Sequence, residues 1–504
     1  MNKTQEFSSR WGLILASLGM AVGAGNLWRF PRLAGQYGGT FIVLWIFFLL
    51  IWSIPILLSE FSIGKKFKGG VVSSYAQAAG KKYTWLGFFI AVCTLGITFY
   101  YSVVTAWGLR YLFLATQNLV GTISINESLQ SDPQFLQHFW SDISSENIST
   151  VILHIIALIV AGVVLYRGVQ EGLEKANKIL IPTLFGMLIL IGLIAVNIGN
   201  GIHGLEYMYQ IDTSLFKNPT VWIEAVTQSA WSTGAGWGLM LTISSYSRKN
   251  EDVSLNIFIS GFGNNTASLI AGMAIIPSVF ALASSDQEAL AFLQSGNFAL
   301  TFTIIPKLFN QFPGGDFLSV FFFLAFFFAA FSSLLTMIEM FIKMLDDLGF
   351  DRKKATVIVI GICMVMGLPS AYSLDFFANQ DWVWGLGLII SGMAIAFAVH
   401  RYGISLFKKE FIDVDSEVKL NSTFFRFTIY LIIPLGFTLL WWWMSQGYSK
   451  YPWFDEEGNW NVFDVYSNAT ILTQWVIVFG LGIILNNLLY KKFVHKKEAE
   501  KVIN

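Results

Sequence analysis

Apolar stretches of about 20 residues, the length that crosses a bilayer as helix, recur along this chain and are separated by short polar connections. Twelve such stretches are marked at roughly 11–36, 39–63, 85–115, 150–167, 177–198, 221–246, 254–282, 316–345, 354–372, 377–400, 425–446 and 470–491. The pattern predicts an all-α integral membrane protein with twelve transmembrane helices. Two connections are longer than the rest. Thr122 to Ser149 is polar, and Ser284 to Gly315 holds Ala- and Leu-rich pieces suited to short helices over the outer face.

The first stretch is interrupted by glycine-rich GAGN at Gly23 to Asn26, and the sixth by STGAG at Ser232 to Gly236. Dividing the first ten stretches into five and five puts the two interruptions in corresponding positions, and five crossings per half insert the halves with opposite orientation. That is the pattern of a 5+5 inverted repeat with discontinuous helices one and six and a binding site at the two breaks. The expected units are an N-terminal segment 1–10, a first repeat 11–198, a second repeat 221–400, helices eleven and twelve over 425–491, and a tail 492–504.

A helix opened at mid-membrane exposes carbonyls from one half and N–H groups from the other. Carbonyls and hydroxyls suit a hard cation such as sodium, whereas N–H ends with their positive dipole suit a carboxylate. Asn26 and Asn264 offer amide oxygens here, and Ser232, Ser332 and Ser333 offer hydroxyls. Each has a structural alternative. The two serines in FFFLAFFFAAFSSLLTMIEM can bond a carbonyl one turn back or let helices approach, and Asn26 can cap a helix end. Tyr101 can be packing, as can Trp231 and Trp237 beside the second break.

Composition excludes several classes. With 55% hydrophobic and 13% charged residues the chain is too apolar for a soluble domain, and 32 basic against 32 acidic residues give no attraction to nucleic acid. Cys93 and Cys363 lie in apolar segments without metal-ligand spacing, and His138, His154, His203, His400 and His495 form no cluster, so neither a metal centre nor an enzyme is expected. The first apolar stretch lacks a small-residue cleavage site and is not read as a removable signal peptide. With the N-terminus in the cytoplasm, only Arg29, Arg32, Arg110, Lys217, Lys307 and Lys450 of the 32 basic residues fall outside. The bias puts both termini inside.

The segments GLILASLGMAVGAGNLWRFPRLAGQYGG, PILLSEFSIG, VQEGLEKANKILIPTLF and SLNIFISGFGNNTASLIAG resemble the neurotransmitter:sodium symporter family, the family of the bacterial leucine transporter. The resemblance extends from Trp11 to His400. It implies sodium-driven symport of a small amino acid or amine by alternating access, in a multi-pass cell-membrane protein, with a bacterial inner membrane the expected location. One sodium ion would lie among the Ala21 carbonyl, Asn26, Ser232, Asn264 and the substrate carboxylate. A second would lie among the Gly19, Val22 and Ala329 carbonyls with Ser332 and Ser333. Amine-transporting members often carry an aspartate where this chain has Gly23, so an amino acid bringing its own carboxylate is expected, received near Ala24, Gly25 and Tyr101. Its side chain would face Ile97, Trp231, Gly234, Trp237, Ser333 and Met337. With no charge among them, this pocket favours a neutral, largely apolar amino acid.

The resemblance also implies gates. Arg29 and Asp381 match an extracellular ion pair, closing as Tyr101 meets Trp231, while Arg10, Ser245, Tyr246 and Asp347 fall at inner-gate positions. The family's Arg and Trp before the first span are replaced by the region Thr4 to Phe7, with Lys3 the nearest base, which implies a weaker or differently paired inner latch. Chloride-independent bacterial relatives commonly have a glutamate where this chain has Ser268. With Trp45, Gln228, Ser232 and Asn264 as further donors, a chloride site is left open. Glu60, Glu224 or Glu339 could supply the compensating charge instead. A non-transporting amino-acid sensor is the competing reading, and a channel is disfavoured because no uninterrupted polar stripe lines several spans. The aromatic LLWWWMSQG can form an interfacial belt or a subunit contact, so monomer and homodimer both stay open.

Overall fold

The structure, a computed structural model, describes residues 6–495. Lys3, Thr4 and the tail beyond 495 lie outside the described residues. Ten helical runs are long and apolar enough to cross a membrane. Among the described residues no β-strand forms, only an isolated antiparallel bridge between Phe454 and Trp460.

In chain order the main helices are α1 Arg10–Ala21, α2 Ala24–Phe48, α3 Ile54–Phe67, α4 Thr84–Leu119, α5 Ile148–Tyr166 and α6 Lys175–Val196. They continue as α7 Pro219–Ser232, α8 Leu239–Ser245, α9 Val253–Leu282, α10 Gly315–Asp347, α11 Arg352–Tyr372, α12 Leu374–Tyr402, α13 Ser422–Ser445 and α14 Asn468–Tyr490. Their starts carry ordinary caps: Ser9 accepts from Gly12 N–H (3.0 Å), Asp252 from Leu255 N–H (2.7 Å), and Asn218 with Pro219 opens α7. Between α4 and α5 lie the short helices Ile125–Ser131 and Phe135–Ser144, and between α9 and α10 lie Asp286–Leu293 and Ile305–Asn310.

Two differences from the sequence pattern concern where helices bend. The run Ala24–Phe67 is counted as one apolar stretch of 44 residues, which at about 1.5 Å per residue is too long for one straight crossing. It turns at Gly38, whose φ of 58° and ψ of −151° are non-helical and whose added Cβ would lie 2.8 Å from the Gln210 carbonyl oxygen. A π-helical turn, Leu49–Ser53, then joins α2 to α3.

Three of the four pieces at the predicted interruptions, α1, α7 and α8, are each shorter than a full crossing. α1 has 12 residues and α2 starts only after extended Val22 and Gly23. α7 has 14 residues and α8 has 7. The chain between them is non-helical from Thr233 to Gly238, two residues beyond the STGAG stretch, with positive φ at Gly234 (70°), Gly236 (90°) and Gly238 (76°). Only glycine takes that conformation at little cost. α4 and α10 cross closely behind the breaks, where Gly108 leaves room for Phe326, whose ring would lie 2.8 Å from a Cβ at that position.

Gly236 is the tightest of these glycines against another backbone: a Cβ there would sit 2.8 Å from both N and Cα of Gly392 in α12. Gly236→Ala is therefore expected to destabilise the protein by about 2 kcal/mol or more. Gly361→Ala, where nothing lies within 4 Å, should be neutral or mildly stabilising. Thermal unfolding of both variants in the same detergent checks this, and equal melting would contradict it.

Candidate functional site

The two breaks face one cavity of about 290 Å³. Of the residues expected at the substrate, Gly23, Gly25, Tyr101, Trp231, Gly234, Trp237, Ser333 and Met337 line it, as do Ala21, Asn26 and Ser232 from the first ion set. Ile97 does not. It is 1% exposed and packed into the core, and the apolar wall is built instead from Met20, Val104, Leu239, Leu386 and Ile389. Ala24 contributes through its backbone, donating its N–H to the Tyr101 hydroxyl (3.1 Å). Tyr101 thus stands over the N-terminus of α2, where a carboxylate is favoured.

Gly23 is a glycine for lack of space. A Cβ there would lie 2.6 Å from the Tyr101 hydroxyl and 3.0 Å from Ser333 Oγ, so an acidic side chain does not fit as the site stands. Gly25 is different, with nothing within 4 Å.

Asn26 acts first as a helix cap. Its Oδ1 accepts the Gly23 N–H (3.0 Å), and its Nδ2 donates to Ser268 Oγ (2.8 Å) and Asn264 Oδ1 (2.9 Å). That Asn264 oxygen lies 3.2 Å from the Ala21 carbonyl and 2.9 Å from the Ser232 carbonyl, with Ser232 Oγ 3.1 Å from the other amide atom. Three acceptors therefore converge without a donor between them. Turning the Asn264 amide over supplies the carbonyls with an N–H but sets that nitrogen 2.9 Å from Asn26 Nδ2. Neither orientation satisfies every group. A monovalent cation among the oxygens would.

At the second ion set the two serines divide. Ser332 Oγ donates to the Ala329 carbonyl one turn back (3.0 Å), the local alternative open in the sequence. Ser333 Oγ reaches across to α1, donating to the Gly19 (3.1 Å) and Met20 (3.2 Å) carbonyls that the helix end leaves free. Val22 is fully buried and its N–H closes α1 onto Leu18. Among the described residues no group of three His, Cys, Asp or Glu is placed to hold a metal.

Of the five anion candidates, Trp45 Nε1 and Gln228 Nε2 are buried without an acceptor. Ser268, Ser232 and Asn264 are engaged as described above. Glu60 is completely buried, with Oε1 accepting the Gly238 N–H (3.1 Å) and Oε2 unpartnered. It closes the second break from the side of α3, while Thr94 Oγ1 donates to the Trp237 carbonyl (2.6 Å) from α4.

The gate candidates take the following partners. Arg29 does not bond Asp381. Its guanidinium donates to Glu224 (2.7 Å) and Gln228 (3.0 Å) on α7 and lies 5.4 Å from the Trp231 ring centroid, while Asp381 accepts from Tyr100 (2.8 Å). The nearer carboxylate on α7 takes the guanidinium. Arg10, half-exposed, meets Glu251 (3.4 Å), and Asp347 accepts the Gly70 N–H (2.6 Å) and pairs with Lys343 (3.3 Å). Tyr246 donates to Glu339 (2.7 Å), itself held by Arg352 through two bonds of 2.8 and 2.7 Å. Ser245 Oγ only bonds the Thr242 carbonyl of its own helix (2.7 Å).

Ahead of α1, Phe7 is 2% exposed, donates its N–H to the Tyr246 carbonyl (3.0 Å) and meets that ring edge-on. Ser8 is held by Glu174 through its N–H (2.8 Å) and its hydroxyl. The Glu339–Arg352 pair and the Phe7 plug were not read from the sequence as gate parts. A lone acid inside an apolar helix was the signal for the first.

The chain matches the profile of the sodium:neurotransmitter symporter family over residues 4–151 and 134–494. It is 31% identical over 436 residues to an uncharacterized sodium-dependent transporter of Methanocaldococcus jannaschii, covering 83% of this chain and 86% of the relative. The chain belongs to this symporter family. A sodium-dependent transporter of Bacillus subtilis named YhdH is 27% identical over 460 residues, covering 87% and 97% of the two chains, and a sodium-dependent dopamine transporter of Caenorhabditis elegans is 22% identical over 459 residues, covering 80% and 74%. The crystal structure of MhsT in complex with L-phenylalanine superposes with a TM-score of 0.71 at 24% identity, over 87% of this chain and 99% of that one, which shows a shared fold. As a member of this family the protein is a multi-pass membrane transporter of the sodium-dependent class, not an enzyme.

The buried pair at the inner end gives a direct test. Glu339→Gln leaves the Arg352 guanidinium, 13% exposed, without its counter-charge and should destabilise the symporter by about 3 kcal/mol. Adding Arg352→Met should recover most of that loss. Thermal unfolding of single and double variants measures it, and a double variant no more stable than the single would contradict it.

Proposed function

We propose that this protein couples the inward movement of sodium to uptake of a neutral, largely apolar amino acid by alternating access. The observation that carries the proposal is the set of facing oxygens from Ala21, Ser232 and Asn264, for which a cation is the partner that leaves Asn26 undisturbed. A second sodium ion is assigned to the Gly19, Val22 and Ala329 carbonyls with Ser332 and Ser333, supported by the reach of Ser333 across to α1. None of these ligands is charged, so each ion is held weakly enough to leave.

The substrate class follows from space and charge at Gly23. With no room for an acid there, the cavity has no fixed carboxylate beside the ions. The substrate's own carboxylate then completes the first sodium site and meets the α2 N-terminus and the Tyr101 hydroxyl. The L-phenylalanine bound to MhsT is consistent with an amino acid of this kind. The apolar wall of Met20, Leu386 and Ile389 with Trp231 and Trp237 makes a charged side chain costly.

Twelve crossings, with the first and sixth split at the breaks, a 5+5 inverted repeat and both termini in the cytoplasm, are the topology in which the two half-helices meet at mid-membrane. Chloride as a co-ion is supported by the unpartnered N–H groups of Trp45 and Gln228. An anion would offset the two positive charges left by two sodium ions and a zwitterion.

Two outcomes test this reading. Asn264→Ala and Ser332→Ala should each raise the sodium concentration for half-maximal amino-acid binding by about fivefold or more, a loss of about 1 kcal/mol of ion binding. Equilibrium binding of labelled amino acids across a sodium titration measures it, and parental sodium dependence in both variants would remove these ligands. Replacing chloride by gluconate should lower binding if the anion site is real, and unchanged binding would remove it.

A further inference from the structure

The outer gate holds an arrangement that the expected Arg29–Asp381 pair does not explain. Along α7, Glu224, Gln228 and Trp231 are spaced i, i+4 and i+7 and so share one helix face. All three engage Arg29: the carboxylate at 2.7 Å, the amide oxygen at 3.0 Å, and the ring with its centroid 5.4 Å from the guanidinium carbon. The ion pair is largely sheltered, with side-chain exposures of 11% for Arg29 and 14% for Glu224. This is a cradle of carboxylate, amide and π-face, the three partners a guanidinium takes best. Asp381 lines the same cavity as Arg29, held by the Tyr100 hydroxyl, and among the described residues it has no ion-pair partner.

We infer that Glu224 is the open-state partner of Arg29, so that the outer gate works by transferring one guanidinium between two carboxylates, Glu224 and Asp381. The inference rests on the symport reading for its purpose, though its geometry stands apart from it. With Arg29 drawn back onto α7, the cavity runs from Gly23 and Ser333 past the gate to Trp382 and Trp443. The Asp381 carboxylate then faces that passage without a counter-charge, where an arriving sodium ion or ammonium group meets it. Transfer of the guanidinium to Asp381 pulls Arg29 across the cavity and shuts it. It also frees the Gln228 amide, whose Nε2 is buried without an acceptor while its oxygen serves Arg29. Glu224 is thus a positioning residue: it sets how readily the outer side closes and touches no substrate.

The test reads gate position directly, in the full-length protein in proteoliposomes. The native cysteines Cys93 and Cys363, both buried, are replaced by alanine, and Val104→Cys in the cavity wall reports access to a membrane-impermeant thiol reagent in sodium without substrate. Glu224→Gln leaves Asp381 as the only carboxylate competing for Arg29 at this gate, so labelling should slow by about threefold or more. Glu224→Asp, which keeps the charge, should label within about twofold of the parent. Glu224→Gln with Asp381→Asn should restore the parental rate or exceed it, because neither carboxylate then draws the gate shut. Labelling of Glu224→Gln at or above the parental rate would overturn the inference. Should Glu224→Gln fail to fold, Asp381→Asn alone decides the matter: labelling at or above the parental rate supports the transfer and slower labelling overturns it. Failure of the symport reading would show separately, as absence of sodium-dependent uptake by the protein with Val104 and both cysteines intact, because thiol labelling needs no turnover.

Discussion

Backbone groups released where two helices stop inside an apolar bundle must be satisfied by the protein itself or by what it binds, since each one left bare costs about 1–3 kcal/mol. The centre of this molecule is arranged around that requirement. The Gly23 N–H goes to Asn26, the Ala24 N–H to Tyr101, the Gly238 N–H to Glu60, the Trp237 carbonyl to Thr94, and the Gly19 and Met20 carbonyls to Ser333. Five side chains from α2, α3, α4 and α10 thereby fix the geometry of both breaks. What they leave over is the Ala21 and Ser232 carbonyls facing the Asn264 amide oxygen, and that remainder is the feature a cation fits.

The distribution of charge follows from the same constraint. Beside the facing oxygens the ligands are neutral, so an ion entering there is stabilised by dipoles and is not trapped by a carboxylate. Fixed ion pairs are found toward the two ends, Arg29 with Glu224 on one side and Glu339 with Arg352 and Tyr246 on the other. Between them the cavity wall is largely apolar, with Tyr101, Ser333, Ser232, Asn26 and Thr227 among its uncharged polar groups. Glu60 is the exception, and its Oε1 is committed to a backbone N–H of the second break.

Much of this was legible in the sequence because glycine and asparagine are expensive inside an apolar run and so mark the places where a helix stops. GAGN lies where α1 gives way to α2 and STGAG where α7 ends, and Asn264 and Ser333 were picked out as polar groups that needed partners. The second break ends later than the glycine run suggested, at Gly238, because Trp237 carries the non-helical stretch on while its carbonyl bonds Thr94. The bend at Gly38 falls between the stretches marked at 11–36 and 39–63, and it answers to the approach of the Gln210 carbonyl from a distant connection. The gate partners were not legible: a sequence names Arg29, Glu224 and Asp381, but which carboxylate holds the guanidinium depends on how α2, α7 and α12 lie in one conformation. Along α4, which is buried over most of its length, the apolar positions do not show in sequence which of them face the cavity.

The most direct test of the account is uptake of a panel of radiolabelled amino acids into proteoliposomes carrying an inward sodium gradient. The account predicts concentrative uptake of one or a few neutral, apolar amino acids, abolished when potassium replaces sodium, with amines not accumulated. Accumulation that persists without sodium, or sodium-dependent binding with no accumulation of any amino acid, would contradict it.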